Sequence, residues 1–153
     1  MLPGRLIHTA LRLLDRITPK AASTQTSLHH RTGRRGEEDA YFYLRRRGYV
    51  MIARNFRSPR HHGEIDLIGW DKDVLCFIEV KTRTTRDVKP AAAAVDRKKR
   101  HDIRVVIRDY LRLISEGSSP DLPQWRFDVL TVNYEGDWAH PIFELFQNAL
   151  LSS

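Results

Sequence analysis

Two short segments combine charged residues with the apolar residues of predicted β-strands, and they hold the side chains best suited to chemistry. They read Gly63-Glu64-Ile65-Asp66-Leu67-Ile68 and Phe77-Ile78-Glu79-Val80-Lys81. The run from Val74 to Ile78 is entirely apolar, which predicts a strand covered on both faces. Glu79 and Lys81 interrupt this apolar pattern. Because side chains alternate along a strand, these two residues share a face.

If the two segments form a hairpin, the numbering sets which residues face each other. A four-residue connection beginning at Asp71 places Asp66 directly opposite Glu79. A two-residue connection instead pairs Asp66 with Phe77 and leaves Glu79 on the diagonal. Both registers keep the two carboxylates on one face. Directly opposed β-carbons lie about 4.5–5.5 Å apart, where two carboxylates repel each other but together can hold one hard cation.

Two carboxylates and a lysine suit the hydrolysis of a phosphodiester. Mg²⁺ prefers oxygen ligands, polarises a phosphoryl oxygen and makes a bound water more nucleophilic. Lys81 would either orient the attacking water or stabilise the charge that develops on phosphorus, and the sequence leaves both roles open. The residues alone also allow a plainer interpretation, in which Glu79 and Lys81 are a solvated ion pair while Asp66 and Glu64 are surface acids.

Composition limits the class of protein. A chain of 153 residues with 41% hydrophobic residues has the length of one domain with a modest core. The net charge of +7 suits phosphate-bearing partners. A single cysteine, Cys76, excludes an intrachain disulfide framework and a cysteine zinc cage, which favours a reducing, cytoplasmic location. No run approaches the roughly 18 apolar residues of a transmembrane segment.

Apolar periodicity predicts an α/β fold. A first helix is expected at about Gly36 to Arg47, with Glu37 among the carboxylates at its N-terminus. The further predicted elements are strands at Tyr49–Phe56, Ile65–Trp70 and Val74–Lys81, a long helix after Pro90 that ends before Gly117, and strands at Trp125–Tyr134 and Ile142–Phe146. The order α, β, β, β, α, β, with a last β, predicts helices packed on a mixed central sheet.

The N-terminal part differs from the rest. Met1 to Ile17 has the spacing of a short amphipathic helix, and Thr18 to Thr32 turns to Ser, Thr, Gln, Ala and His. We therefore divide the chain into an N-terminal helix and flexible linker at residues 1–30 and a nucleic-acid-binding domain at residues 31–153. The helix would contact a protein partner, lie on a membrane surface or be a loose appendage.

Basic residues recur at helical spacing in the second helix. Arg100, Arg104, Arg108 and Arg112 are four residues apart, a stripe that can follow a phosphate backbone with salt-dependent affinity but is also compatible with a solvated outer face. The loop from Arg57 to His62 is expected at the mouth of the acidic site. The residues predicted to bind nucleic acid are Arg34, Arg35, Arg57, Arg60, Arg83, Lys99, Arg100 and Arg104.

The chain resembles a known family from about Thr32 to its C-terminus. The resemblance is carried by Gly36-Glu37, Ala40, Tyr43-Leu44, Gly48-Tyr49, Arg54-Asn55, the two acidic segments extended to Thr82-Arg83, Lys99, Tyr110-Leu111 and Arg126-Phe127-Asp128-Val129. The family is the YraN family of bacterial proteins, which is similar to Holliday junction resolvases and belongs to the restriction-endonuclease-like group.

This resemblance implies an αβββαβ core with a PD-(D/E)-x-K site. It implies that Asp66 and Glu79 are metal ligands, that Lys81 is the catalytic lysine and that Glu37 assists the metal centre. Ile65 stands where the wider motif has proline. The expectation is a Mg²⁺- or Mn²⁺-dependent nuclease acting on DNA, with branched or junction DNA as one substrate class, and a homodimer by analogy. The alternative is a non-catalytic nucleic-acid-binding module or adaptor with the same fold.

Overall fold

The structure, a computed structural model, describes residues 24–84, 97–116 and 122–149. Its elements are helix α1 (Thr24–Arg46), strands β1 (Val50–Arg57), β2 (Glu64–Asp71) and β3 (Val74–Thr84), helix α2 (Arg97–Ser115), and strands β4 (Trp125–Tyr134) and β5 (Ile142–Phe146). This order confirms the predicted one. The predicted helix at Met1–Ile17 and the alanine run after Pro90 lie outside the described residues.

The strands form a single mixed sheet, as predicted. Its five strands lie in the order β1-β2-β3-β4-β5. All neighbours are antiparallel except β3 and β4, which are parallel. Parallel neighbours need a crossover connection, and α2 lies within it. Neither helix of the described ranges is long and apolar enough to cross a membrane.

Helix α1 begins earlier than expected. The predicted start was near Gly36, whereas the helix runs from Thr24, so part of the segment assigned to a linker is helical. No proline or glycine stands between Thr24 and Thr32, and once a helix has formed, each added residue gains a hydrogen bond. Glu37 therefore lies in the interior of the helix, and its predicted place at a helix N-terminus is wrong.

Each face of the sheet carries one apolar core. Cys76 and Ile78 of β3 pack with the buried face of α1, whereas Leu75 and Phe77 pack with that of α2. The stretch from Leu75 to Val80 is buried throughout, which explains the unbroken apolar run in the sequence. Full burial of such a side chain stabilises the fold by about 1.5–3 kcal/mol.

Helix α1 packs closely against strand β3 at Gly36. A β-carbon at this position would overlap Oγ1 of Thr82 and lie 2.9 Å from its Cβ. Only glycine permits this contact, which places the next residue, Glu37, beside the charged end of β3. Gly33, one turn earlier, would have no neighbour within 4 Å of an added β-carbon.

We expect Gly36→Ala to destabilise the fold by about 1–3 kcal/mol, because overpacking outweighs the higher helix propensity of alanine. Urea unfolding measures the change. Gly33→Ala is the matched control in the same helix and should stabilise the protein by up to about 1 kcal/mol. Equal effects of the two substitutions would contradict the close contact with Thr82.

Candidate functional site

The hairpin of β2 and β3 adopts the first of the two predicted registers. Trp70 pairs with Leu75 and Leu67 pairs with Ile78, so Asp66 is the next residue opposite Glu79. The paired residues end at Leu67 and Ile78. Beyond them, the backbone N–H of Val80 donates to Oδ2 of Asp66 at 2.7 Å. The Asp66 side chain thus takes a hydrogen bond from the neighbouring strand, which fixes the carboxylate against β3.

Glu79 is the most buried acid of this site, and two lysines contact it. Its exposed fraction is 7%, and Nζ of Lys81 and Nζ of Lys99 each donate to its Oε1 at 2.6 Å. Lys81 reaches Glu79 along the shared strand face, as predicted, and Lys99 comes from the first turn of α2. Although burial opposes ionisation, the two ammonium groups hold the pKa of Glu79 below its usual value.

The carboxyl group of Asp66 is in a different electrostatic state. Burial, and then the negative charge of Glu79, raise the pKa of Asp66 to about 7. The hydrogen bond from Val80 works in the opposite direction but is the weaker influence. Ionisation of Asp66 near neutral pH therefore places a second buried negative charge beside Glu79. A bound cation would relieve this repulsion.

This shift gives the metal-free protein a pH-dependent stability. The folded pKa of Asp66, about 7, exceeds the ordinary aspartate value of 3.8, so the Asp66 contribution is present at low pH and is lost as pH rises to about 7. In EDTA, wild type should lose stability relative to Asp66→Asn between pH 5 and pH 8, as measured by urea unfolding. Asp73→Asn, at the exposed hairpin turn, is the control. Parallel pH profiles of wild type and Asp66→Asn would contradict the shift.

Two further acids meet at the edge of this site. Burial, and then the charge of Glu64, raise the pKa of Glu37. The side-chain amide nitrogen of Asn55, oriented to satisfy both acids, donates to Glu37 Oε2 at 3.3 Å and to Glu64 Oε1 at 3.1 Å. Arg57 pairs with the other oxygen of Glu64 at 2.7 Å. Asn55 therefore holds Glu37 near the strand residues. The charge of Glu79 also raises the pKa of Glu37, and the charge of Glu37 raises the pKa of Asp66.

Sequence reasoning missed Glu64 and Asn55. Glu64 stands two residues before Asp66, so the two residues lie on the same face of the strand. This spacing could have linked the two acids. Asn55 has a positive φ of 51°, which asparagine tolerates better than most residues. Nothing in the sequence around Asn55 indicates that its side chain bridges two carboxylates.

The residues predicted to bind nucleic acid lie in several places. Lys99 contacts Glu79, Arg57 pairs with Glu64, and the charge of Arg34 acts on Glu37. Arg60 is exposed in the loop before β2, while Arg83, near the end of β3, and Arg100 are half-buried. Arg104 is exposed on α2.

Arg35 makes its contacts away from the site of Asp66 and Glu79. Its guanidinium lies over the ring of Trp138 and donates to the Trp138 carbonyl at 2.7 Å. It also pairs with Asp39 at 3.8 Å. These contacts tie α1 to the connection between β4 and β5.

The Arg126-Phe127-Asp128-Val129 motif forms a separate polar network. Arg126 donates through Nε to Asp128 and through its terminal nitrogen to Asp71 at 2.8 Å and to Tyr49 at 2.9 Å. The backbone N–H of Asn148 donates to Asp128 at 3.0 Å. Asp128 has no exposed area. This network joins β4 to the hairpin turn and to the C-terminal segment, which is a structural role.

The donor set near Asp66 fits a hard divalent cation. Mg²⁺ is bound in proteins through one or two carboxylates and keeps several waters, and Asp66 and Glu79 supply carboxylates from neighbouring strands. Burial, and then the negative charge of Glu79, raise the pKa of Asp66, and a bound cation would offset both effects. Within the described ranges, no three His, Cys, Asp or Glu side chains converge in an arrangement that could hold a metal by themselves.

Comparison with known proteins supports the family assignment suggested by the sequence. A family model described as "Uncharacterised protein family UPF0102" matches residues 36–132. A UPF0102 protein of Koribacter versatilis is 50% identical over 144 residues, covering 94% of both chains. UPF0102 proteins of Solibacter usitatus and Chlorobium limicola are 44% and 42% identical over 65% and 67% of this chain, and the matches cover 73% and 75% of theirs.

The matched region runs from the glycine that lets α1 approach β3 to the second half of β4, so it includes every residue of the acidic site described above. The chain belongs to the uncharacterised protein family UPF0102, the YraN family that its sequence resembles.

Proposed function

We propose that the protein is a metal-dependent nuclease that hydrolyses phosphodiester bonds in DNA on a restriction-endonuclease-like αβββαβ core. The observation that carries the proposal is the pairing of strands β2 and β3, which brings the carboxylates of Asp66 and Glu79 together with the ammonium of Lys81. A carboxylate pair beside a lysine is suited to water attack on a phosphodiester.

Asp66 and Glu79 are the residues that would hold Mg²⁺ or Mn²⁺. When bound, such an ion polarises a phosphoryl oxygen and lowers the pKa of a coordinated water. Hydrolysis forms a P–O bond to the oxygen of water and breaks the P–O bond to the leaving sugar oxygen, which takes a proton.

The two lysines have different positions relative to this reaction. Lys81 lies on the same strand face as Glu79, and its ammonium is a donor for a phosphoryl oxygen or for the attacking water. Lys99 extends from another element to the same oxygen, where it offsets the charge of Glu79 and adds a second cation for the phosphate backbone. Glu37, with Asn55 and Glu64 beside it, would assist through its carboxyl group.

Basic residues around the acids make the approach of a polyanion favourable. Arg57 and Lys99 contact two of the acids, and Arg34 and Arg54 act electrostatically on Glu37. These side chains offset the carboxylate charge that would otherwise repel nucleic acid. A net charge of +7 over the whole chain acts in the same direction.

The experiment that tests the proposal is a Mn²⁺-dependent cleavage screen with linear, flapped and four-way DNA, using the full chain. Cleavage of any of these that requires Mn²⁺ and is lost in Asp66→Asn supports the proposal. Preference for the four-way substrate would identify junction DNA as the substrate class. Intact DNA in all three cases, with salt-sensitive binding retained, would contradict the enzyme proposal.

The second candidate is a nucleic-acid-binding module that keeps this fold without cleaving its ligand. The contact that favours it is the double pairing of Glu79 Oε1 with Lys81 and Lys99, because these ion pairs already compensate the buried charge without a metal.

A homodimer is also proposed, by analogy with the resolvases that the family resembles. Light scattering on the full chain that finds only monomer would refute it.

A further inference from the structure

A groove beside α2, separate from the carboxylates, is built by the loop that joins β1 to β2. Oγ of Ser58 accepts from the backbone N–H groups of Arg60 and His61 at 3.1 Å each. The Ser58 hydroxyl donates to Oδ2 of Asp109 on α2, and Nδ1 of His61 lies 2.7 Å from the same oxygen. Asp109 is only 6% exposed. These hydrogen bonds hold the loop against α2.

The end of the loop also lies directly against α2. Gly63 has a φ of 133°, and a β-carbon there would come within 2.9 Å of Cγ2 of Val106. Only glycine adopts this conformation readily. The loop therefore has a defined position on the helix, and the groove between them is a built feature of the fold.

The groove is small and mostly basic. It encloses about 240 Å³ and is lined by His61, Val105, Arg108, Asp109 and Arg112. Pockets that enclose drug-sized ligands measure roughly 300–1,000 Å³, so this one suits a single phosphate group better than a whole nucleotide. Arg60 and Arg112 line an adjoining cavity together with the acids Asp109 and Glu116.

The charges of the groove favour an anion. Arg60, Arg108 and Arg112 are exposed, and the ion pairs of the described residues include none for Arg60 or Arg108. Arg112 is 4.0 Å from Asp109, the longest ion-pair distance in this part of the chain. Asp109 is the one carboxylate that lines the groove. Its Oδ2 is already hydrogen-bonded to Ser58 and His61, so it opposes an anion less than an acid without such partners would.

We infer that this groove binds a backbone phosphate of the nucleic acid at a point away from the carboxylate site. Arg108 and Arg112 would contact the phosphate oxygens, with Arg60 and His61 at the rim. The inference rests on the proposed function, because it locates a second contact for the same ligand. It assigns binding roles to Arg108, Arg112 and His61 that the acidic site does not require.

Helix α2 carries residues of both contacts. Arg108 follows Lys99 by nine residues in one continuous helix, which corresponds to about 13 Å along the axis and about two and a half turns. The two side chains therefore project from opposite sides of α2, and the groove is a contact separate from Lys99 and the carboxylates.

The test is binding of a fluorescein-labelled duplex of about 20 base pairs in EDTA, measured by anisotropy over a range of salt concentrations. The double substitution Arg108→Gln and Arg112→Gln should weaken binding uniformly across unrelated sequences. It should also reduce the slope of log affinity against log salt by about 0.9, since both side chains contact the same phosphate and each phosphate contact contributes about 0.9. Both side chains are exposed, so these variants should fold normally.

The matched control is Arg46→Gln with Lys72→Gln, which removes the same charge from exposed positions on α1 and the hairpin turn. A groove variant whose salt slope equals that of the control would overturn the inference and leave the proposed function standing. If wild type binds no nucleic acid, the proposed function fails. Calorimetric titration with inorganic phosphate then tests whether the groove binds an anion. Phosphate binding that the double variant loses supports an anion site there, and no binding overturns it.

Discussion

Asp66→Asn is expected to lower the rate of Mn²⁺-dependent DNA cleavage by a factor of about 10³ or more, because a catalytic metal supplies several kcal/mol and each 1.36 kcal/mol is tenfold in rate. The amide keeps the shape of the carboxylate and can still accept from the N–H of Val80. The loss would therefore come from charge and metal binding and not from misfolding. Initial rates on the best substrate of the screen measure the effect.

Two controls make this result specific. Asp73→Asn removes the same charge from the exposed turn of the same hairpin and should leave the rate unchanged. DNA affinity of Asp66→Asn in EDTA should match that of wild type or be slightly tighter, because a negative charge has been removed. A variant that still cleaves at the wild-type rate would exclude Asp66 from the reaction.

Arg126→Met should lower the free energy of unfolding by about 3–5 kcal/mol, the cost of leaving a buried charge without its partner. Asp128 has no exposed area, and Arg126 donates to both of its oxygens. The substitution also leaves Asp71 and Tyr49 without the bonds that Arg126 gives them. For a chain of this size, the melting temperature should fall by roughly 10 °C or more.

Adding Asp128→Asn to Arg126→Met should recover much of the loss, since removing both charges of a buried pair costs far less than removing one. The asparagine oxygen can still accept from the N–H of Asn148. Thermal and urea unfolding of the single and double variants test this. A double variant no more stable than Arg126→Met would show that the buried charge is not the cause.

The parts of the site that follow from local geometry were predictable from the sequence. Alternation along a strand put Glu79 and Lys81 on one face, and both registers considered for the hairpin put Asp66 and Glu79 on one face. The observed pairing agrees with the register that sets Asp66 opposite Glu79. Both rules depend only on residue spacing within one hairpin. Strands β4 and β5 were predicted for the same reason and have the predicted bounds.

The contacts between distant elements were not predictable in this way. Lys99 was expected to bind nucleic acid, and only the packing of α2 on the sheet brings it to Glu79. Asn55 joins Glu37 to Glu64 from a third element. The early start of α1 was missed because Thr24 to Thr32 lacks the apolar periodicity from which helices are recognised.

The measurement that tests the central claim most directly is a Mn²⁺ titration of the metal-free full chain by calorimetry, with wild type, Asp66→Asn and Glu79→Gln compared at pH 7.5. We expect wild type to bind Mn²⁺ and each substitution to weaken the binding by at least about tenfold, since each removes one of the few carboxylates such an ion needs. Equal Mn²⁺ affinity in all three proteins would contradict a metal site at Asp66 and Glu79.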